Sequence, residues 1–70
     1  MDPFTEKRIV RFIEEFRKQF GQLPTIKDFE TAGFTKDVLE TAIKKQLIEQ
    51  FYVTLSNGTI VKGYKIRQNI

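Results

Sequence analysis

Seventy residues with seven phenylalanines, 40% hydrophobic and 30% charged, describe one small folded domain, 1–70, rather than a disordered chain. There is no cysteine and no histidine, which excludes disulfide staples, the usual zinc ligands and thiol or imidazole catalysis. The net charge of +3 is unevenly placed: residues 1–35 hold six bases and six acids, residues 36–70 six bases and three acids, and such asymmetry points to a polyanion.

The first helix starts at Asp2-Pro3, a carboxylate cap followed by proline at the first helical position, or at Thr5. Ile9, Ile13, Phe16 and Phe20 recur at helical spacing with Phe12 beside them, drawing one apolar face for the core. Gly21 supplies a left-handed terminator. Leu23-Pro24 forms a turn, because proline disfavours helix at the residue before it. Arg8, Arg11, Lys7 and Lys18, mixed with Glu14 and Glu15, read as the solvated side of this helix.

Thr25-Ile26-Lys27-Asp28 resembles a capping box, with Asp28 in the place usually held by Glu. A short second helix then runs to Ala32 and buries Ile26 and Phe29. Gly33 stops it, Phe34 plugs the turn and Thr35 caps a third helix. Val38, Leu39, Ala42, Ile43 and Leu47 form that helix's inner face, and Asp37, Glu40, Thr41, Lys44 and Lys45 its outside. Glu40 and Lys44 have the spacing of a stabilising ion pair.

From Ile48 the period changes to two, and Asn57-Gly58 sits between two alternating runs, a strong hairpin signal. A two-residue turn there needs positive φ at Asn57-Gly58, with Ser56 opposite Thr59. Leu55 would then face Ile60, Val53 would face Lys62 and Phe51 would face Tyr64, placing Phe51, Val53, Leu55 and Ile60 on the core. Tyr52 falls on the opposite, exposed face. Residues 50–70 contain no acid, so Lys62, Lys65 and Arg67 are available to phosphates.

Three helices, the last two joined by a tight glycine turn, and then a hairpin make an α+β fold, a three-helix winged helix-turn-helix with a C-terminal two-stranded β-hairpin wing. "FGQLPTIKDF", then "AGFT" and "AIKKQLIEQFYV", resembles the N-terminal domains of LexA-type repressors and, more loosely, other bacterial winged-helix regulators, and a stand-alone winged helix of this size is similar to the small regulators of phages and plasmids. Gln46 departs from that pattern, standing where a helix-ending glycine is usual before Leu47-Ile48.

The resemblance implies that Thr35, Lys36, Thr41 and Lys44 face the DNA groove, that Thr25 and Lys27 lie near a phosphate, and that Asn57, Gly58 and Thr59 form the wing tip. Charge adds Lys45 and Lys62 as phosphate contacts. The expected function is a small cytoplasmic regulator of transcription or replication that binds double-stranded DNA through its third helix and basic wing. One such module buries roughly 600–1,000 Å² on DNA, so specific binding calls for a homodimer, a cooperative array or a second regulatory protein.

The alternative is a winged-helix module that binds or inhibits a protein partner. Acidic Asp37 and Glu40 on the third helix permit it. Scattered carboxylates and the lack of a glycine-rich phosphate loop argue against an enzyme, a cofactor or a small-molecule substrate. The longest apolar run is two or three residues, which predicts neither a signal peptide nor a membrane span.

Overall fold

A computed structural model describes residues 2–67 as α1 (Pro3–Phe20), α2 (Ile26–Thr31), α3 (Lys36–Lys44), β1 (Ile48–Thr54) and β2 (Ile60–Ile66). The expected α+β class and order, three helices followed by an antiparallel hairpin, are observed.

Local chemistry sets each boundary. Asp2 accepts from the Thr5 N–H at 2.7 Å, so α1 starts at Pro3, the earlier of the two expected starts. That hydrogen bond holds the Asp2 carboxyl below its ordinary range. Gly21, with φ of 68°, ends α1 and donates to the Arg17 carbonyl at 2.8 Å. Thr25 opens α2: its N–H and hydroxyl donate to Asp28 Oδ2 at 2.8 and 3.0 Å, the reaching-back half of a capping box.

Two paired closures end α2 and α3. In the first, Phe34 N–H reaches the Phe29 carbonyl and Gly33 N–H the Glu30 carbonyl. In the second, Leu47 N–H reaches the Ala42 carbonyl and Gln46 N–H the Ile43 carbonyl. Each pattern needs a left-handed residue. Gly33 adopts it freely at φ 95°, whereas Gln46 is driven to φ 62°, the only described non-glycine residue with positive φ.

The core is Ile9 and Ile13 of α1, Phe29 of α2, Phe34 of the turn, Leu39 and Ala42 of α3, Ile48 of β1 and Tyr64 of β2. Phe29 has no exposed surface and meets Phe12 at 4.9 Å, Phe34 at 5.5 Å and Tyr64 at 5.4 Å between ring centroids. Ile26, Phe12, Val38, Ile43, Leu47 and Ile66 pack around this cluster, half-buried. Phe20 departs from its expected place: it is 57% exposed, lies on Phe16 and lines an open groove between α1 and α2.

The hairpin register corrects the sequence expectation by one residue. Phe51 pairs with Gly63, Tyr52 with Lys62, Val53 with Val61 and Thr54 with Ile60. The loop holds three residues, Ser56-Asn57-Gly58, closed by Leu55 N–H to the Thr59 carbonyl at 2.7 Å. Gly58 alone takes positive φ, 88°, while Asn57 Oδ1 accepts from the Thr59 N–H at 2.9 Å.

A one-residue slip exchanges the faces of a strand. Ile48, Tyr64 and Ile66 therefore meet the helices, and Phe51 and Val53 lie on the far side around Gly63. Leu55 and Ile60, expected in the core, are 40% and 64% exposed. Tyr52 is exposed as expected, at 69%, although it belongs to the helix side of the ribbon beyond the core's edge.

Two substitutions test these backbone assignments. A Cβ on Gly63 would sit 2.9 Å from Val53 Cγ2 and 3.0 Å from Phe51 Cζ, so Gly63→Ala is expected to destabilise by about 1–3 kcal/mol in urea unfolding. Gln46→Gly relieves a left-handed conformation and is expected to raise stability by about 1 kcal/mol in the same measurement.

Candidate nucleic-acid interface

The α2–turn–α3 unit is held from beneath by Phe34, which is buried, with the Arg8 guanidinium 5.1 Å from its ring centroid. This gives Arg8, expected on a plain solvated surface, a cation–π contact. The unit presents the start of α3 outward: Thr35, Lys36 and Asp37 are all exposed. Thr35 Oγ1 accepts from the Val38 N–H at 3.2 Å, so the hydroxyl expected at DNA is first a helix cap.

Leu39 and Ala42 point α3 into the core, which leaves Lys36, Asp37, Glu40, Thr41 and Lys44 on its outer side. Thr41 Oγ1 donates back to the Asp37 carbonyl at 2.9 Å, leaving the hydroxyl free only to accept. Glu40 and Lys44 make no ion pair within 4 Å, in contrast to the expected partnership. Lys45 turns to α1, where Nζ donates to Glu6 Oε1 at 2.8 Å.

Thr25 is half-buried, its two donors are taken by Asp28, and it bridges Gly63 of β2. Its place is therefore structural, tying α2 to the hairpin. Lys27, two residues on, stays exposed. Lys62 is half-buried opposite Tyr52, and Asn57, Gly58 and Thr59 form the exposed tip of the ribbon. Lys65 and Arg67 both approach Glu49, at 3.6 Å each, so one carboxylate offsets one of these two ribbon charges. The acid that does this stands just before the acid-free stretch, and that adjacency was the available signal.

The candidates thus divide. Lys36, Thr41 and Lys44 share one side of α3, with Thr35 at its start and Lys27 on α2. Asn57, Gly58, Thr59 and Lys62 lie on the ribbon. Lys45 and Thr25 are engaged inside the fold. Sequence reasoning missed Ile60 as an exposed apolar residue, and the glycine third in the loop was the clue to that register.

An open groove of about 930 Å³ runs between α1 and the base of the hairpin, lined by Arg17, Lys18 and Lys65 together with Glu14 and Glu49. Its mixed charge favours neither sign of ligand. Among the described residues no His, Cys, Asp or Glu group is placed to hold a metal ion, and no helix is long and apolar enough to cross a membrane. Comparison with known proteins finds no matching family model, no similar curated protein and no similar solved structure.

Tyr64 lies where α2, α3 and β2 meet. Burial raises its phenol above the ordinary tyrosine value, and the charges of Glu40 and Glu30 push the same way. In Tyr52→Phe, which leaves Tyr64 as the single tyrosine, alkaline absorbance titration should show ionisation above about pH 10. A raised folded-state pKa means that this stabilisation is complete below the unfolded value and is lost as pH rises through the folded one.

Proposed function

We propose that this chain is a winged-helix module that binds duplex DNA through α3 and the hairpin and serves in the control of transcription or replication. The observation that carries the reading is where, among the described residues, lysines without an ion-pair partner lie: two, Lys7 and Lys18, are on α1, and four are on the α2–α3 unit and the hairpin. Among the described residues Lys27, Lys36, Lys44 and Lys62 have no ion-pair partner within 4 Å. They occupy α2, the start and end of α3, and β2. A helix supported by a preceding helix is the right size for a major groove, and an adjacent ribbon can follow the phosphates.

The same surface limits what is read. Asp37 and Glu40 interrupt the positive field on α3, and no arginine is present there to grip guanine bidentately. Affinity should come mainly from phosphates, with modest base discrimination. A Glu or Asp among bases can still accept from cytosine N4.

A second reading, a winged helix that docks on a protein, is favoured by the exposure of Tyr52, Leu55 and Ile60 on the ribbon. Salt separates the two. Binding to a random-sequence duplex should fall linearly with log[salt], and Lys44→Ala and Lys62→Ala should each reduce the slope by about one unit. No binding at low salt would refute the DNA reading, and a complex with a protein partner that hardly responds to salt would support the second.

A further inference from the structure

β1 is an open edge. Leu55 N–H donates to the Thr59 carbonyl at one end of the ladder and Arg67 N–H to the Leu47 carbonyl at the other. Antiparallel alternation then directs the backbone groups of Glu49, Phe51 and Val53 to β2, and those of Gln50, Tyr52 and Thr54 away from it. Among the described residues nothing pairs with that outer side. The outer side of β2 is engaged: Tyr64 N–H donates to the Pro24 carbonyl at 3.0 Å, and Thr25 bridges Gly63.

Open edges are commonly protected by lysine, proline or a bulge within the strand. β1, IEQFYVT, has none of these, and its one charge is Glu49 near its start. The lysines of the ribbon, Lys62 and Lys65, are both on β2. Phe51, Tyr52, Val53 and Thr54 are strong strand formers in the half of β1 that extends beyond the core.

We propose that β1 pairs with β1 of a second copy, antiparallel, about a two-fold axis at Phe51. In this register the two Phe51 side chains face each other at a non-hydrogen-bonded position, where cross-strand side chains come closest. Gln50 and Tyr52 of each copy exchange their outward N–H and carbonyl groups with Tyr52 and Gln50 of the other. Glu49 falls opposite Val53, so like charges do not meet, whereas a parallel in-register pairing would set Glu49 against Glu49.

The assembly closes on itself. Pairing consumes both β1 edges, and the Pro24–Thr25 segment already engages the far edge of each β2, which favours a two-fold dimer over a growing sheet. The dimer follows from the edge itself and does not depend on DNA binding.

Sedimentation equilibrium of the full chain over a concentration series tests the assembly, and amide hydrogen exchange locates it. The expected result is a reversible dimer in which the Gln50 and Tyr52 amides are protected and lose protection on dilution, while the Phe51 and Val53 amides stay protected throughout. Gln50→Lys combined with Thr54→Lys, which sets lysines diagonally across the axis, should give a monomer whose melting temperature, unlike that of the wild type, does not rise with concentration. A wild type that stays monomeric at the highest concentration overturns the proposal. So does a dimer whose Gln50 and Tyr52 amides exchange freely, because its interface lies elsewhere; this readout on the wild type decides even if the double variant fails to fold.

Discussion

Phe29 is the contact on which the remaining packing depends. It has no exposed surface, and its ring meets Phe12 of α1, Phe34 of the α2–α3 turn and Tyr64 of β2 in tilted or edge-on geometry. Burying such a side chain contributes about 1.5–3 kcal/mol, and aromatic pairs of this kind about 0.5–1.5 kcal/mol beyond area. In a domain with a total stability of about 5–15 kcal/mol, one ring touching α1, the turn and β2 is a large share. It also locks α2 against β2, which the Thr25–Gly63 bridge reinforces from the backbone.

From that hub the candidate surface is positioned rather than built by its own residues. Phe34 lies under the turn and sets where α3 begins, and Leu39 and Ala42 decide which side of α3 faces outward. The charges are sorted by the same packing. Glu6 holds Lys45 against α1 and Glu49 gathers Lys65 and Arg67, while Lys27, Lys36, Lys44 and Lys62, like Lys7 and Lys18 on α1, make no ion pair within 4 Å among the described residues. Net charge alone conceals this, since exposed ion pairs add little stability but remove a base from the field that a polyanion meets.

The hairpin carries two opposing demands. Its base must cover the core, which Ile48, Tyr64 and Ile66 do, and the backbone must come close around Gly63 so that Phe51 and Val53 can lie over it. Its outer half reaches past the helices, so Tyr52 and Ile60 stand in solvent on the very face that is buried lower down. A ribbon of two strands has little stability of its own, and these side chains support it by cross-strand contact while leaving the β1 edge open.

The caps, the stops and the order of elements are set by short-range chemistry along the chain. Asp2, Thr25 with Asp28, Thr35, Gly21 and Gly33 act through hydrogen bonds and φ angles spanning five residues or fewer, so their roles are legible locally. Helical spacing likewise placed Ile9, Ile13, Phe29, Leu39 and Ala42 inside. Tertiary structure decided what local rules leave degenerate. Asn57-Gly58 suits both a two-residue and a three-residue loop, and only packing of Ile48 and Tyr64 on the helices selects the register that turns Phe51 and Val53 away. Phe20 has core spacing but lies on an open groove between α1 and α2 rather than in the core. The Lys45–Glu6 pair joins positions 39 apart in the chain, and no periodicity within α3 reports a partner on α1. Pairings between distant segments depend on how the elements pack, which is why the candidate surface was legible residue by residue but its free charges were not.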